Sequence, residues 1–151
     1  MGQGRMTDAV KKVAVELRAM DVVHNWLIDA GHDDDDIRDT SDGNSYDFEI
    51  GPQNRPVMRV EVKRLTGRLG PVTVTRGEVE SARGPIPTML AVVHGIQVEK
   101  DEDAVWRGWG GKLWVANRWK PDDGELEATQ FRYSPRGGWS ARKWPSEFNS
   151  S

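Results

Sequence analysis

From Thr7 to Ala30 the apolar residues Val10, Val13, Leu17, Met20, Val23 and Leu27 recur at helical spacing. The pattern predicts a helix with Thr7 as N-cap and Gly31 as its stop. The following HDDDDIRDTSDGNS has no period and reads as a solvated acidic loop, without the glycine and glutamate offsets of a calcium loop. SYDFEI and VMRVEVKRL, separated by the turn residues GPQNRP, predict a hairpin. In its second strand alternation sets Val60 and Val62 on one face and Glu61 and Lys63 on the other. PVTVT alternates as a third strand, RGEVESAR predicts a short helix ending before Gly84-Pro85, and MLAVVHGIQV is apolar throughout, as a strand buried on both faces would be.

From Asp101 the texture changes. Six of the seven tryptophans lie beyond position 105, and KPDDGE separates KLWVANRW from LEATQFRY, which read as two antiparallel strands. No Ser/Gly linker intervenes, so the 151 residues are expected to form one α/β (α+β) domain. Its parts would be a core over 7–100, a β extension over 101–134 and an irregular tail over 135–151.

Composition narrows the function classes. Cysteine is absent, which removes disulfides and thiolate metal sites, and a mean hydropathy of -0.68 leaves no room for a membrane span. MGQGRMTDAV lacks the apolar run of a signal peptide, so the expected location is the cytoplasm with no membrane partner. The net charge of -3 hides an uneven distribution: the balance is -7 over 1–50, +4 over 51–83, -3 over 84–103 and +3 over 104–151. Two basic segments meeting on one face would supply the field a phosphate backbone needs. Candidate nucleic-acid contacts are Arg64, Arg68 and Arg76 in the first, and Arg107, Trp109 and Arg118 in the second. The tryptophans offer π-faces for bases, although most are expected to pack the β extension. His24, His32 and His94 have no metal-ligand spacing.

The acid and base side by side at Glu61 and Lys63 gain meaning from the hairpin, which can set Asp47 beside Glu61. Two carboxylates, the Val62 carbonyl and waters make a hard oxygen site of the kind Mg²⁺ prefers, with Mn²⁺ as a substitute. Such a site serves phosphodiester hydrolysis, with Lys63 as electrostatic partner to the water or the transition state. Glu16, bordering the apolar stripe of the first helix, is a fourth candidate, and Asp21 a rival from the same helix.

Glu16 on an opening helix, Asp47 on a strand and Glu61-Val62-Lys63 on the next resemble the PD-(D/E)XK nuclease superfamily. The closer likeness is to the branch named for the C-terminal domain of the protein NO VEIN, carried by AVE-x-x-AM, YD, VEVK, VTVT-x-x-EVE-x-AR, VVHGI, GGKLWV and RWKPDDGELEATQFRY across about residues 8–134. The superfamily's proline before the first acid is replaced by Tyr46, as in this branch. The resemblance implies a restriction-endonuclease-like mixed sheet flanked by helices, Asp47 and Glu61 as metal ligands, Lys63 as catalytic lysine and Glu16 assisting. Glu78 falls where such proteins place a further polar residue facing the substrate; as a first-turn acid it would also suit a helix dipole. A Mg²⁺-dependent endonuclease of restriction or phage defence is the expectation, acting on DNA rather than RNA. A homodimer would place one site on each strand of a duplex, and a partner ATPase belongs to the same setting. The alternatives are a nucleic-acid-binding module that reads DNA, including modified DNA, without cutting it, and a protein-interaction adaptor, which leaves the acid-lysine face unexplained.

Overall fold

The computed structural model describes residues 2–130 and 132–134. Met1–Pro121 form one compact unit and Asp122–Ser151 a second. In the first unit, α1 (Gly2–Asp29) is followed by β1 (Ile37–Asp39), β2 (Phe48–Ile50), β3 (Met58–Arg64), α2 (Arg76–Ala82), β4 (Thr88–Lys100) and β5 (Trp106–Ala116). The sheet runs in the order β1-β2-β3-β4-β5, antiparallel except for the parallel pair β3 and β4. A parallel pair needs a crossover, and residues 65–87 with α2 supply it. The result is a mixed five-stranded α/β architecture with two helices among the described residues.

The start of α1 at Gly2 puts Thr7 inside the helix instead of at its cap. Its end follows the sequence reading: Gly31 takes φ +102°, its N–H donates to the Ile28 carbonyl at 3.0 Å, and the His32 N–H donates to the Leu27 carbonyl at 3.1 Å. Glycine adopts this left-handed closing geometry without a Cβ penalty. The buried face of α1 is rotated from the expected stripe. Ala14, Val15, Ala19, Val23 and Leu27 are buried, whereas Val10, Val13 and Leu17 are exposed. Close approach decides this, because a Cβ at Gly108 of β5 would lie 2.6 Å from the Ala14 carbonyl oxygen and 2.7 Å from Arg18 Cβ. Small residues facing a glycine bring helix and sheet nearer than a stripe of valine and leucine allows. Val15, Ala19, Val23 and Leu27 then pack with Phe48, Val60, Val62, Ala91, Val93 and Ile96 into the core. Each fully buried aliphatic side chain there contributes about 1.5–3 kcal/mol.

Three expectations are corrected. Pro71–Thr75 (PVTVT) forms no strand: it is the leg of the crossover, ending at Thr75, whose hydroxyl caps α2. The acidic stretch contains β1, whose one apolar residue, Ile37, is buried and pairs with Ile50. KLWV is in an antiparallel strand as expected, and it belongs to the main sheet, since β5 pairs with β4 from Leu90↔Ala116 to Lys100↔Trp106. In the second unit, Asp123–Glu125 form a 3-10 turn closed by reciprocal bonds between Asp122 and Glu125, and the described residues of LEATQFRY form no strand. The tail 135–151 lies outside the described residues.

The β4-β5 ribbon switches faces without changing register. Val93, Leu113 and Val115 belong to the core under α1, and so do Ile96 and Val98 beyond Gly95, although simple alternation would send these last two to the other side. Gly95, Gly110 and Gly111, all at positive φ, make the turn-over. A Cβ at Gly111 would also meet Val93 Cγ1 at 2.9 Å. Arg107, Trp109, Lys112 and Trp114 consequently line one exposed face of β5.

Candidate active site

The β2-β3 ladder ends at the first residue of β2, where Phe48 pairs with Val60. Asp47 lies one residue beyond, its carboxyl within hydrogen-bond reach of the Glu61 side chain. The Asp47 N–H donates to the Val60 carbonyl at 2.8 Å, and the Val62 N–H donates to Asp47 Oδ2 at 2.7 Å. A side chain thus completes the ladder where backbone has run out. The carbonyl of Val62 leaves β3 on the same edge as its N–H, because both groups of one strand residue point to one side.

Alternation turns Glu61 and Lys63 away from α1, and the Thr75-capped start of α2 brings a third carboxylate over them. Lys63 Nζ lies 2.7 and 3.0 Å from the two carboxylate oxygens of Glu78 and 3.3 Å from Glu61 Oε1. Glu78 Oε2 also accepts from the Thr75 N–H at 3.4 Å, so the helix cap holds the carboxylate that holds the lysine. Gly77 admits the β1-β2 loop: a Cβ there would stand 2.7 Å from Ser45 Oγ.

Burial sets the electrostatics. It pushes the Glu61 carboxyl up to about 8, with the Asp47 carboxylate adding to the shift and Lys63 opposing it. Burial also raises Asp47, against the pull of the Val62 N–H, of a hydrogen bond from Glu61 and of Lys63. At neutral pH the pair therefore retains a proton, held mainly by Glu61 and shared with Asp47. Among the described residues no three or more His, Asp or Glu side chains are grouped to hold a metal ion. A cation here would draw on two carboxylates, a backbone carbonyl and water, which is within the habit of Mg²⁺.

Asp47, Glu61, Lys63 and Glu78 come together; the other candidates do not. Glu16 and Arg64 form an ion pair at 2.6 Å. Arg64 shares the α1 face with Val60 and Val62, so Glu16 meets the strand from the side opposite Lys63. Asp21 is exposed on α1, and Arg68 is exposed after β3. Arg76 opens α2 and pairs with Glu80 at 2.9 Å. Arg107 pairs with Asp101 at 3.0 Å, Trp109 is exposed, and Arg118 follows β5 in the left-handed region at φ 53°.

The sequence reading missed a charged network next to the carboxyl pair. Glu49 receives Arg38 at 3.0 Å and Arg59 at 3.5 Å, and the Arg59 guanidinium stacks 4.2 Å over Tyr46, the residue before Asp47. Arg38 donates also to the Gly51 carbonyl. Hydrogen bonds from Arg38 and Tyr46 keep the Glu49 carboxyl below its usual range despite the cost of desolvation. The period-2 placement of Glu49 and Arg59 is its one sequence signal, and β1, which brings Arg38, lies in a stretch with no strand period.

The family described as Protein NO VEIN, C-terminal, matches residues 15–102, a span from the buried face of α1 to the end of β4 that includes all four clustered residues. The chain belongs to the NO VEIN C-terminal family. No curated protein and no solved structure matches it. Among the described residues no helix is long and apolar enough to cross a membrane. The family span stops short of β5, so the exposed Arg107 to Trp114 face lies outside the matched region.

Proposed function

We propose that this NO VEIN C-terminal domain is a metal-dependent nuclease of the PD-(D/E)XK type, acting on DNA. The observation that carries the reading is the Asp47-Glu61 carboxyl pair at the end of the β2-β3 ladder, with Lys63 Nζ 3.3 Å from Glu61. Two buried acids driven to share a proton form a site whose charge a divalent cation would balance. Asp47 and Glu61, with the Val62 carbonyl, are the groups that would hold it. Bound there, Mg²⁺ would supply Lewis-acid stabilisation of charge on a phosphoryl oxygen. The Val62 N–H fixes Asp47 by occupying one of its oxygens. Lys63 carries a fixed positive charge on the carboxyl face, suited to orienting a water or meeting a non-bridging oxygen. Glu78 positions that ammonium through two contacts. Restriction or phage defence is the setting the family resemblance suggests.

A second reading, a module that binds DNA without cutting it, draws on enclosure: the side chains of Glu61, Lys63 and Glu78 are only 7%, 15% and 12% exposed. One experiment separates the two. The protein is incubated with plasmid and with single-stranded DNA, in Mg²⁺, Mn²⁺ or EDTA, beside Asp47→Asn. Cleavage that needs the cation and is lost in the variant supports the nuclease; DNA binding without cleavage under every condition supports the module. Cleavage that persists in EDTA overturns the metal mechanism.

A further inference from the structure

We propose that the outward face of β5 binds single-stranded nucleic acid, with bases stacking on Trp109 and Trp114 and phosphates meeting Arg107 and Lys112. The inference takes its ligand class from the reading above and adds a surface and a strand state to it. The indoles are 44% and 43% exposed, unusual for side chains of this size on a sheet strand. They alternate with the two cations, and β5 contains no acidic residue. The Gly110-Gly111 turn-over makes the four one surface, since without it Arg107 and Trp109 would face α1 in place of Trp106 and Gly108.

That surface lies on the sheet face of the carboxyl site. Lys63 pairs with Val92 and Val92 with Trp114, so the lysine and the indole occupy one row, two strand spacings or about 10 Å apart. Across the next row Lys112 faces His94. Arg107 is held by Asp101 at 3.0 Å and lies opposite Glu99, but an exposed pair of this kind contributes little and yields readily to a phosphate. An unpaired strand suits the face better than a duplex: an indole needs a free base face, and duplex bases are already stacked on one another. Trp114 lies five positions along the strand from Trp109, about 16 Å, against about 3.4 Å between stacked bases. The two indoles therefore take non-adjacent bases of one strand.

The test measures fluorescence anisotropy of labelled oligothymidylate with the full chain in EDTA, so that binding is read without cleavage. Trp109→Ala/Trp114→Ala is expected to weaken binding by about thirtyfold or more, since two stacked bases lose their partners. Arg107→Ala/Lys112→Ala is expected to reduce the slope of log K against log salt by about 1.4. Lys12→Ala, on the exposed side of α1, serves as the control and should bind as the parent does. The indoles are more than half covered, so the double tryptophan variant is expected to melt at a lower temperature, and circular dichroism at the assay temperature checks that every variant is folded. Parent-like affinity in the double tryptophan variant, absence of oligothymidylate binding by the parent, or retention on phosphatidylserine vesicles in place of the oligonucleotide would each overturn the proposal. Binding lost in the variants but no cleavage in Mg²⁺ upholds this inference while removing the nuclease; cleavage with unchanged variant affinity does the reverse.

Discussion

The backbone N–H of Val62 donates to Asp47 Oδ2 at 2.7 Å, so the residue between Glu61 and Lys63 is tied to the carboxylate of the neighbouring strand. This bond sets the spacing of the carboxyl pair, and it separates the structural role of Asp47 from its charge. Asp47→Asn keeps an acceptor for Val62 and removes the charge, whereas Asp47→Ala also strands a backbone N–H at a cost of about 1–3 kcal/mol. Both variants should lose cleavage by at least a hundredfold, and only Asp47→Ala should show a lowered denaturation midpoint. Nuclease assays beside urea melts check this; full activity in Asp47→Asn would remove Asp47 from the metal ligands.

Lys63→Ala should abolish cleavage and also lower stability, because it leaves the enclosed Glu61 and Glu78 carboxylates without their cation. Melting and a plasmid assay on the same preparation decide it.

Glu61 makes the metal-free protein sensitive to pH. Its carboxyl is raised from 4.5 to about 8, so between those values the unfolded chain has released a proton that the folded chain keeps. Stability should therefore be fully present below the lower value and fall as pH rises through the window, by an amount on the order of a few kcal/mol. Urea melts in EDTA across that range should show the decline, and Glu61→Gln should flatten it. Glu78→Gln, which preserves the α2 cap while removing a charge that raises Glu61, should shift the decline to lower pH.

Cation binding requires Glu61 to lose its proton. The thermal shift produced by Mg²⁺ should consequently grow between about pH 6 and about pH 9, and vanish in Asp47→Asn. Differential scanning fluorimetry reads both effects; an equal shift at both pH values would place the ion elsewhere.

Gly108→Ala should destabilise the fold by about 1–3 kcal/mol, because its new methyl would lie 2.6 Å from the Ala14 carbonyl oxygen and 2.7 Å from Arg18 Cβ. A denaturant midpoint measures the loss, and an unchanged midpoint would show that α1 moves away without cost.

The sequence alone determined what short periods and local chemistry can specify. Alternation placed Glu61 and Lys63 on one strand face, GPQNRP marked the hairpin, and Gly31 ended α1. The tertiary structure decided whatever depended on partners remote in the chain. The phase of α1 followed from Gly108, more than ninety residues from Ala14 and invisible to a periodicity that weighs valine and leucine above alanine. PVTVT alternates like a strand and still has no ladder, because a parallel crossover must spend residues leaving the sheet. Glu16 borders the apolar stripe, yet its contact is Arg64, since adjacent residues of a strand face opposite sides. The enclosure that raises Glu61 arises only when α2, β3 and the end of β2 close around it, because desolvation belongs to the packed molecule and not to any one segment.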